Sequence, residues 1–117
     1  MTRQVNKRDN AEAQDDLVFK ALSGKDRRRI LDLLRDGPMK TGDLDARLPH
    51  LDRTTVMQHL RVLENARLVI SKKAGRCRWN YLDVGPIQRI YERWIEAYAA
   101  PSAGLLSQLR RDLEDLS

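Results

Sequence analysis

Arg53, Thr54, Gln58 and Arg61 lie within one stretch, DRTTVMQHLRVLENARLV, residues 52 to 69. An arginine grips guanine O6 and N7 with two hydrogen bonds, and a glutamine does the same for adenine N6 and N7. Spaced as they are, Thr54, Gln58 and Arg61 share one side of a helix, with Arg53 near its exposed N-terminal end. Together they suit the reading of base edges in a groove wide enough to admit that helix. Arg53 and Gln58 are the base-reading candidates, with Thr54 beside them able to serve a base or a phosphate. Thr55 and Arg61 are expected on the phosphate backbone. The plainer use of the same face is solvation.

A second cluster follows at once. Residues 67 to 78 hold Arg67, Lys72, Lys73, Arg76 and Arg78 and no acid. Cations without neighbouring carboxylates suit a polyanion, so Lys72, Lys73, Arg76 and Arg78 are expected on flanking phosphates or in a minor groove. Charge also guards the edges of a hairpin, and both uses are compatible. In the run Arg27-Arg28-Arg29 one side chain is expected to face the DNA backbone. Catalysis finds no support: the chain has two histidines, no glycine-rich phosphate loop, no nucleophile motif and no paired carboxylates in an apolar setting. Cys77 lies between two arginines that favour a thiolate, yet strand alternation puts it on a drier side, where cysteine behaves as a small hydrophobe. His50, His59 and Cys77 lack metal-site spacing, and His59 reads as a packed, hydrogen-bonded histidine. No cofactor or metal is expected.

The elements that must position these groups are legible from periodicity. Asp52 is placed to cap a helix over about 52 to 65, in which Val56, Leu60 and Leu63 form the buried stripe. Before it, Thr41 is a candidate cap for a short helix, Gly42 to Leu48, and Pro49-His50-Leu51 makes the turn. Two helices so joined, the second apolar inside and polar outside, form a helix-turn-helix pattern. Earlier helices are expected from about Asp16 to Leu22 and from Lys25 to Arg35. After it, Leu68 to Lys73 and Arg76 to Leu82 flank Ala74-Gly75 as a hairpin, about 68 to 82, which makes a wing. Its second arm alternates Arg76, Arg78 and Asn80 on a wet face with Cys77, Trp79 and Tyr81 on a dry one.

Beyond Pro86, Ile87, Ile90, Tyr91, Trp94 and Tyr98 form an apolar stripe. Pro101 is expected to interrupt it, and a last helix from about Ser102 aligns Leu105, Leu109, Leu113 and Leu116. A small three-helix core needs neither stripe. The surplus, with Phe19, points to a dimer interface between N- and C-terminal helices, or less simply to an aromatic effector pocket.

The chain has 117 residues, 33% of them charged, and a formal net charge of +5. That length favours one modest core, and the charge makes an acidic partner plausible. One cysteine excludes an internal disulfide and fits a reducing cytosol. No apolar run approaches the ~20 residues of a membrane span, so a cytoplasmic location is expected. The division expected is a flexible polar tail over 1–15, a DNA-binding domain over 16–100 and a dimerising helix over 101–117. The fold class is mainly α with a small β-hairpin wing.

In these motifs the chain resembles the ArsR family of winged-helix bacterial repressors. VFKALSGKDRRRILDLLRDG (18 to 37) is similar to the family's opening helices, TTVMQHLRVLENARLV (54 to 69) to its recognition helix and entry to the wing, and GRCRWNYL (75 to 82) to the wing's return strand. The resemblance covers roughly residues 16 to 98. It implies a homodimer whose recognition helices enter successive major grooves of a palindromic double-stranded DNA operator. Family members that sense metals often carry a cysteine pair near the third helix, where this chain reads GPMKTGDLDARL, or ligands on the last helix, where residues 86 to 117 hold no histidine. Metal sensing is therefore not carried over, and the residues identify no effector. The competing reading is a winged-helix protein-interaction module without specific DNA binding.

Overall fold

Leucine and isoleucine at helical spacing in three successive segments must find a common partner, and here that partner is the fourth. The computed structural model describes residues 6–116, with the side chains of 99–103 outside the description. Helices α1 (Lys7–Leu22), α2 (Lys25–Leu34) and α3 (Thr41–Ala46) each pack on α4 (Arg53–Asn65). The core joins Val18 and Ala21 of α1, Ile30 and Leu34 of α2 and Leu44 of α3 to Val56, Leu60 and Leu63 of α4.

Helix α1 begins at Lys7, inside the stretch expected to be a polar tail. Asn6 caps it by accepting from the Asp9 amide at 2.8 Å. Gln14 then donates to the Ala66 carbonyl at 3.0 Å, tying this segment to the far end of α4. A polar sequence without apolar periodicity gives no sign of such a tie. Residues 1–5 lie outside the described residues.

The sheet has three antiparallel strands in the order β1-β3-β2, where β1 is Met39–Lys40, β2 is Val69–Ala74 and β3 is Cys77–Leu82. The first was not expected, since two residues after a Gly-Pro turn carry no periodicity. Pairing of Ala74 with Cys77 leaves Gly75-Arg76 as a two-residue hairpin loop, with Gly75 at φ 62° in its first position, the placement a type II′ turn requires.

Two expectations about side chains are corrected. Thr41 is the first residue of α3 rather than its cap. It is buried, and its hydroxyl accepts from Asn80 Nδ2 at 3.0 Å. Asn80, expected on the wet face, is fully buried, while Tyr81, expected on the dry face, is exposed. Alternation along β3 is intact, but the face carrying Asn80 turns toward the helices at the base of the wing. The amide fits there because it also donates to the Met39 carbonyl at 3.2 Å.

Helix α4 ends in a complete Schellman motif. The Leu68 amide bonds the Leu63 carbonyl and the Arg67 amide the Glu64 carbonyl, both at 2.9 Å. The motif needs a left-handed residue at position 67, and the chain supplies Arg67 at φ 62°. Arg67→Gly is therefore expected to stabilise the fold by about 0.5–1 kcal/mol, read as a higher urea midpoint at unchanged slope. A lower midpoint would show that the arginine side chain outweighs its backbone strain.

The chain divides into two units after Pro86, within α5 (Gly85–Ile90). In the second, a π-helical turn (Tyr91–Glu96) leads directly into α6 (Ala97–Asp115). The helix runs through Pro101, which was expected to interrupt it. A proline removes one i→i−4 bond, and the alanines, leucines and arginines around it are strong helix formers. Among the described residues no helix is long and apolar enough to cross a membrane.

Candidate nucleic-acid interface

Asp52 opens α4 with its carboxylate accepting from the Thr55 amide at 2.7 Å. That bond, followed by one from the Thr55 side chain, holds the Asp52 carboxyl below the usual range. The cap is thus intact wherever the carboxylate is ionised, and weakens only as pH falls through that lowered value. It also engages Thr55, which is half-buried. Thr54, Gln58, Arg61 and Asn65 are exposed on the face opposite Val56, Leu60 and Leu63, as the periodicity requires, and Arg53 is exposed at the helix's N-terminal end.

Below this helix, Arg27 is a fastener. Its guanidinium donates to the carbonyls of Ala21 at 2.9 Å and Lys20 at 3.0 Å, and reaches His59 Nδ1 at 3.3 Å. Arg28 donates to the Leu22 carbonyl at 2.6 Å. Both therefore close the end of α1; Arg28 and Arg29 are exposed, and Arg27 is half-buried. His59 is the packed histidine the sequence suggests. In the turn before α4, His50 Nε2 meets Asp26 Oδ1 at 2.8 Å, and this hydrogen bond is the main cause of a lowered Asp26 carboxyl.

The wing carries its cations on both faces. Lys72, Lys73, Arg76 and Arg78 are exposed, and among the described residues none of them, nor Arg53 or Arg61, forms an ion pair. Lys73 stands directly across from Arg78, on the face that continues from Ser71 and Asn80. Like charges opposite one another in a sheet are destabilising. Arg76 and Arg78 join Arg53 and Met57 around a cleft of about 350 Å³ between the wing, α3 and α4. This is where the two sequence clusters come together.

Lys40 also lines that cleft and holds its ammonium 5.3 Å from the Trp79 ring. It was missed because it lies in the unexpected strand β1. A lysine two residues beyond a Gly-Pro turn was the available signal. Cys77 is half-buried at the same rim, on the sheet face it shares with Trp79, Tyr81 and exposed Ile70. No group of three or more metal-binding side chains occurs among the described residues.

The expected interface residues remain uncovered within their own units. Phe19 is 48% exposed in the first, and Tyr91, Trp94, Tyr98, Leu105 and Leu109 are exposed in the second, where Ile87 is half-buried.

A family model described as "Bacterial regulatory protein, arsR family" matches residues 24–71. The chain is 43% identical over 68 residues to the HTH-type transcriptional regulator Rv2034 of Mycobacterium tuberculosis, covering 58% of this chain and 63% of that protein. It therefore spans less than two thirds of that relative. It is 32% identical over 71 residues to the transcriptional repressor SdpR of Bacillus subtilis, covering 61% of this chain and 78% of that one. An ArsR-like transcriptional regulator from Rhodococcus sp. RHA1 superposes with a TM-score of 0.69 at 27% identity, over 87% of this chain and 94% of that one. The fold also matches a homodimeric winged helix-turn-helix domain from Mycobacterium bovis, with a TM-score of 0.64 at 22% identity, over 85% and 93% of the two chains.

Proposed function

Because the chain belongs to the ArsR family of bacterial transcriptional regulators, a family of DNA-binding proteins and not of enzymes, we propose that it represses transcription as a cytoplasmic homodimer on a palindromic operator. Helix α4 enters the major groove, where Arg53, Gln58 and Thr54 read base edges and Thr55 and Arg61 hold phosphates. Lys72, Lys73, Arg76 and Arg78 grip the flanking backbone or minor groove. The dimer forms through Phe19 of α1 and through Ile87, Tyr91, Trp94, Tyr98, Leu105 and Leu109 beyond it.

One observation carries this reading: Lys73 and Arg78 oppose each other across the wing, both exposed and without an acid partner among the described residues. A sheet that served only as scaffold would gain by changing either one. A phosphate beside them turns the repulsion into attraction.

Fluorescence anisotropy on DNA from upstream of the chain's own gene and on a scrambled duplex, across a salt series, tests the function. Tight binding to the upstream duplex with a steep salt slope supports it. Absence of binding to either at low salt defeats it in favour of a protein-interaction module. Replacing Lys73 and Arg78 together by alanine is expected to flatten the slope of log K against log salt by about 2 per protomer. The same change should raise stability by a few tenths of a kcal/mol through lost repulsion. An unchanged slope would remove the wing from the interface.

A further inference from the structure

Two apolar, half-buried side chains flank the presented face of α4, Met57 and Val62, and of these Met57 is the one that lines the cleft beside the wing. Arg53, Thr54, Gln58, Arg61 and Asn65 are polar or charged and exposed, whereas Met57 is apolar and half-buried. It stands apart from the core stripe, in which Val56, Leu60 and Leu63 are 0%, 3% and 0% exposed. Instead it forms an apolar wall of a cleft in which Lys40, Arg53, Arg76 and Arg78 outnumber the one acid, Asp43, with Cys77 at the rim. Gly42 lines the same cleft, and a Cβ there would meet nothing within 4 Å, so the cleft is open on the α3 side.

A thioether among cations gains nothing from them, so its counterpart is an apolar group carried by a polyanion. In the major groove the only such group is the 5-methyl of thymine. We infer that Met57 is a specificity residue that packs against a thymine methyl close to the base read by Arg53. It lies one turn beyond Arg53, about 6 Å along the helix, against about 3.4 Å per base pair, which sets the thymine one or two base pairs away. Methionine suits the task because its unbranched stem adjusts to a contact that the arginines have already oriented. The inference rests on the DNA-reading function proposed above.

The test begins with a duplex enriched by this protein from a random library, in which each thymine is replaced in turn by deoxyuridine. That change removes the methyl and keeps every hydrogen bond. One thymine per half-site is expected to show a loss of about fourfold, the equivalent of the ~0.8 kcal/mol typical of one buried methylene-sized group. Met57→Gln, which preserves length, should bind the thymine and uridine duplexes alike, and Met57→Leu should retain the difference. Enrichment of no duplex would overturn the DNA-reading function and this inference with it. An enriched duplex indifferent to uridine at every thymine would overturn the Met57 contact alone. So would sensitivity that persists undiminished in Met57→Gln. If the glutamine variant does not fold, loss of the uridine effect in Met57→Ala decides in favour, and its persistence decides against.

Discussion

Arg53→Ala is expected to weaken binding to the enriched duplex by about 1–3 kcal/mol per half-site, and Gln58→Ala by a similar amount. In a two-fold complex each loss occurs twice, so a single substitution is expected to cost between ~30-fold and ~2 × 10⁴-fold at the outer limits. Binding to scrambled DNA should change far less, because a base contact contributes little where the base is wrong. The structure makes this a fair experiment. Both side chains are exposed and outside the stripe formed by Val56, Leu60 and Leu63, and neither supplies the cap, which belongs to Asp52 and Thr55. Truncation should therefore leave α4 folded, with circular dichroism and the urea midpoint unchanged. Equal losses on both duplexes would reassign the residue to the phosphate backbone. For Arg53 that outcome has a structural basis, since it shares a cleft with Arg76 and Arg78.

The largest effect on stability is expected from Asn80→Asp. The wild-type amide is fully buried and donates to the Met39 carbonyl and to the Thr41 hydroxyl. One residue thereby joins β3 to β1 and to the first turn of α3. An ionised carboxylate of the same shape offers only acceptors, so it faces the Met39 carbonyl with no proton to share and carries an unpaired charge in the core. A cost of about 3–5 kcal/mol at pH 7 follows, a large fraction of the stability of an ordinary domain. The sign with pH is fixed by the same argument. Burial raises the carboxyl pKa of the introduced side chain in the folded state, so the variant loses stability as pH rises above the unfolded value near 4 and recovers part of it below. Urea midpoints at pH 4 and pH 7 check this. A variant as stable as wild type at pH 7 would mean that the Asn80 bonds do not hold the wing.

The same residue marks where sequence reasoning stopped. Its alternation with Trp79 and Tyr81 is readable, but alternation says only that two faces differ. Which one is buried depends on what lies against it, and β3 is flanked by helices at its base and free near its tip. Hence Arg78 is exposed while Asn80, two residues along the same face, is buried. Thr41 was misread for a related reason: a hydroxyl before a helix looks like a cap until a distant amide is found to use it.

By itself the sequence determined the helix-turn-helix, the cap at Asp52, the outward face of α4 and the hairpin that follows. These rest on periods of 3.6 and 2 residues and on local hydrogen bonds, and such signals lie within one turn or one strand of their cause. Tertiary structure decided what spans the chain. It set Lys73 opposite Arg78 by pairing two strands. It also brought Lys40, Met57 and Arg78 around one cleft from three separate elements, fastened Arg27 to His59, and drew Gln14 to the end of α4. Each of these joins residues with no common period, so their meeting is set by packing of the core rather than by spacing along the chain.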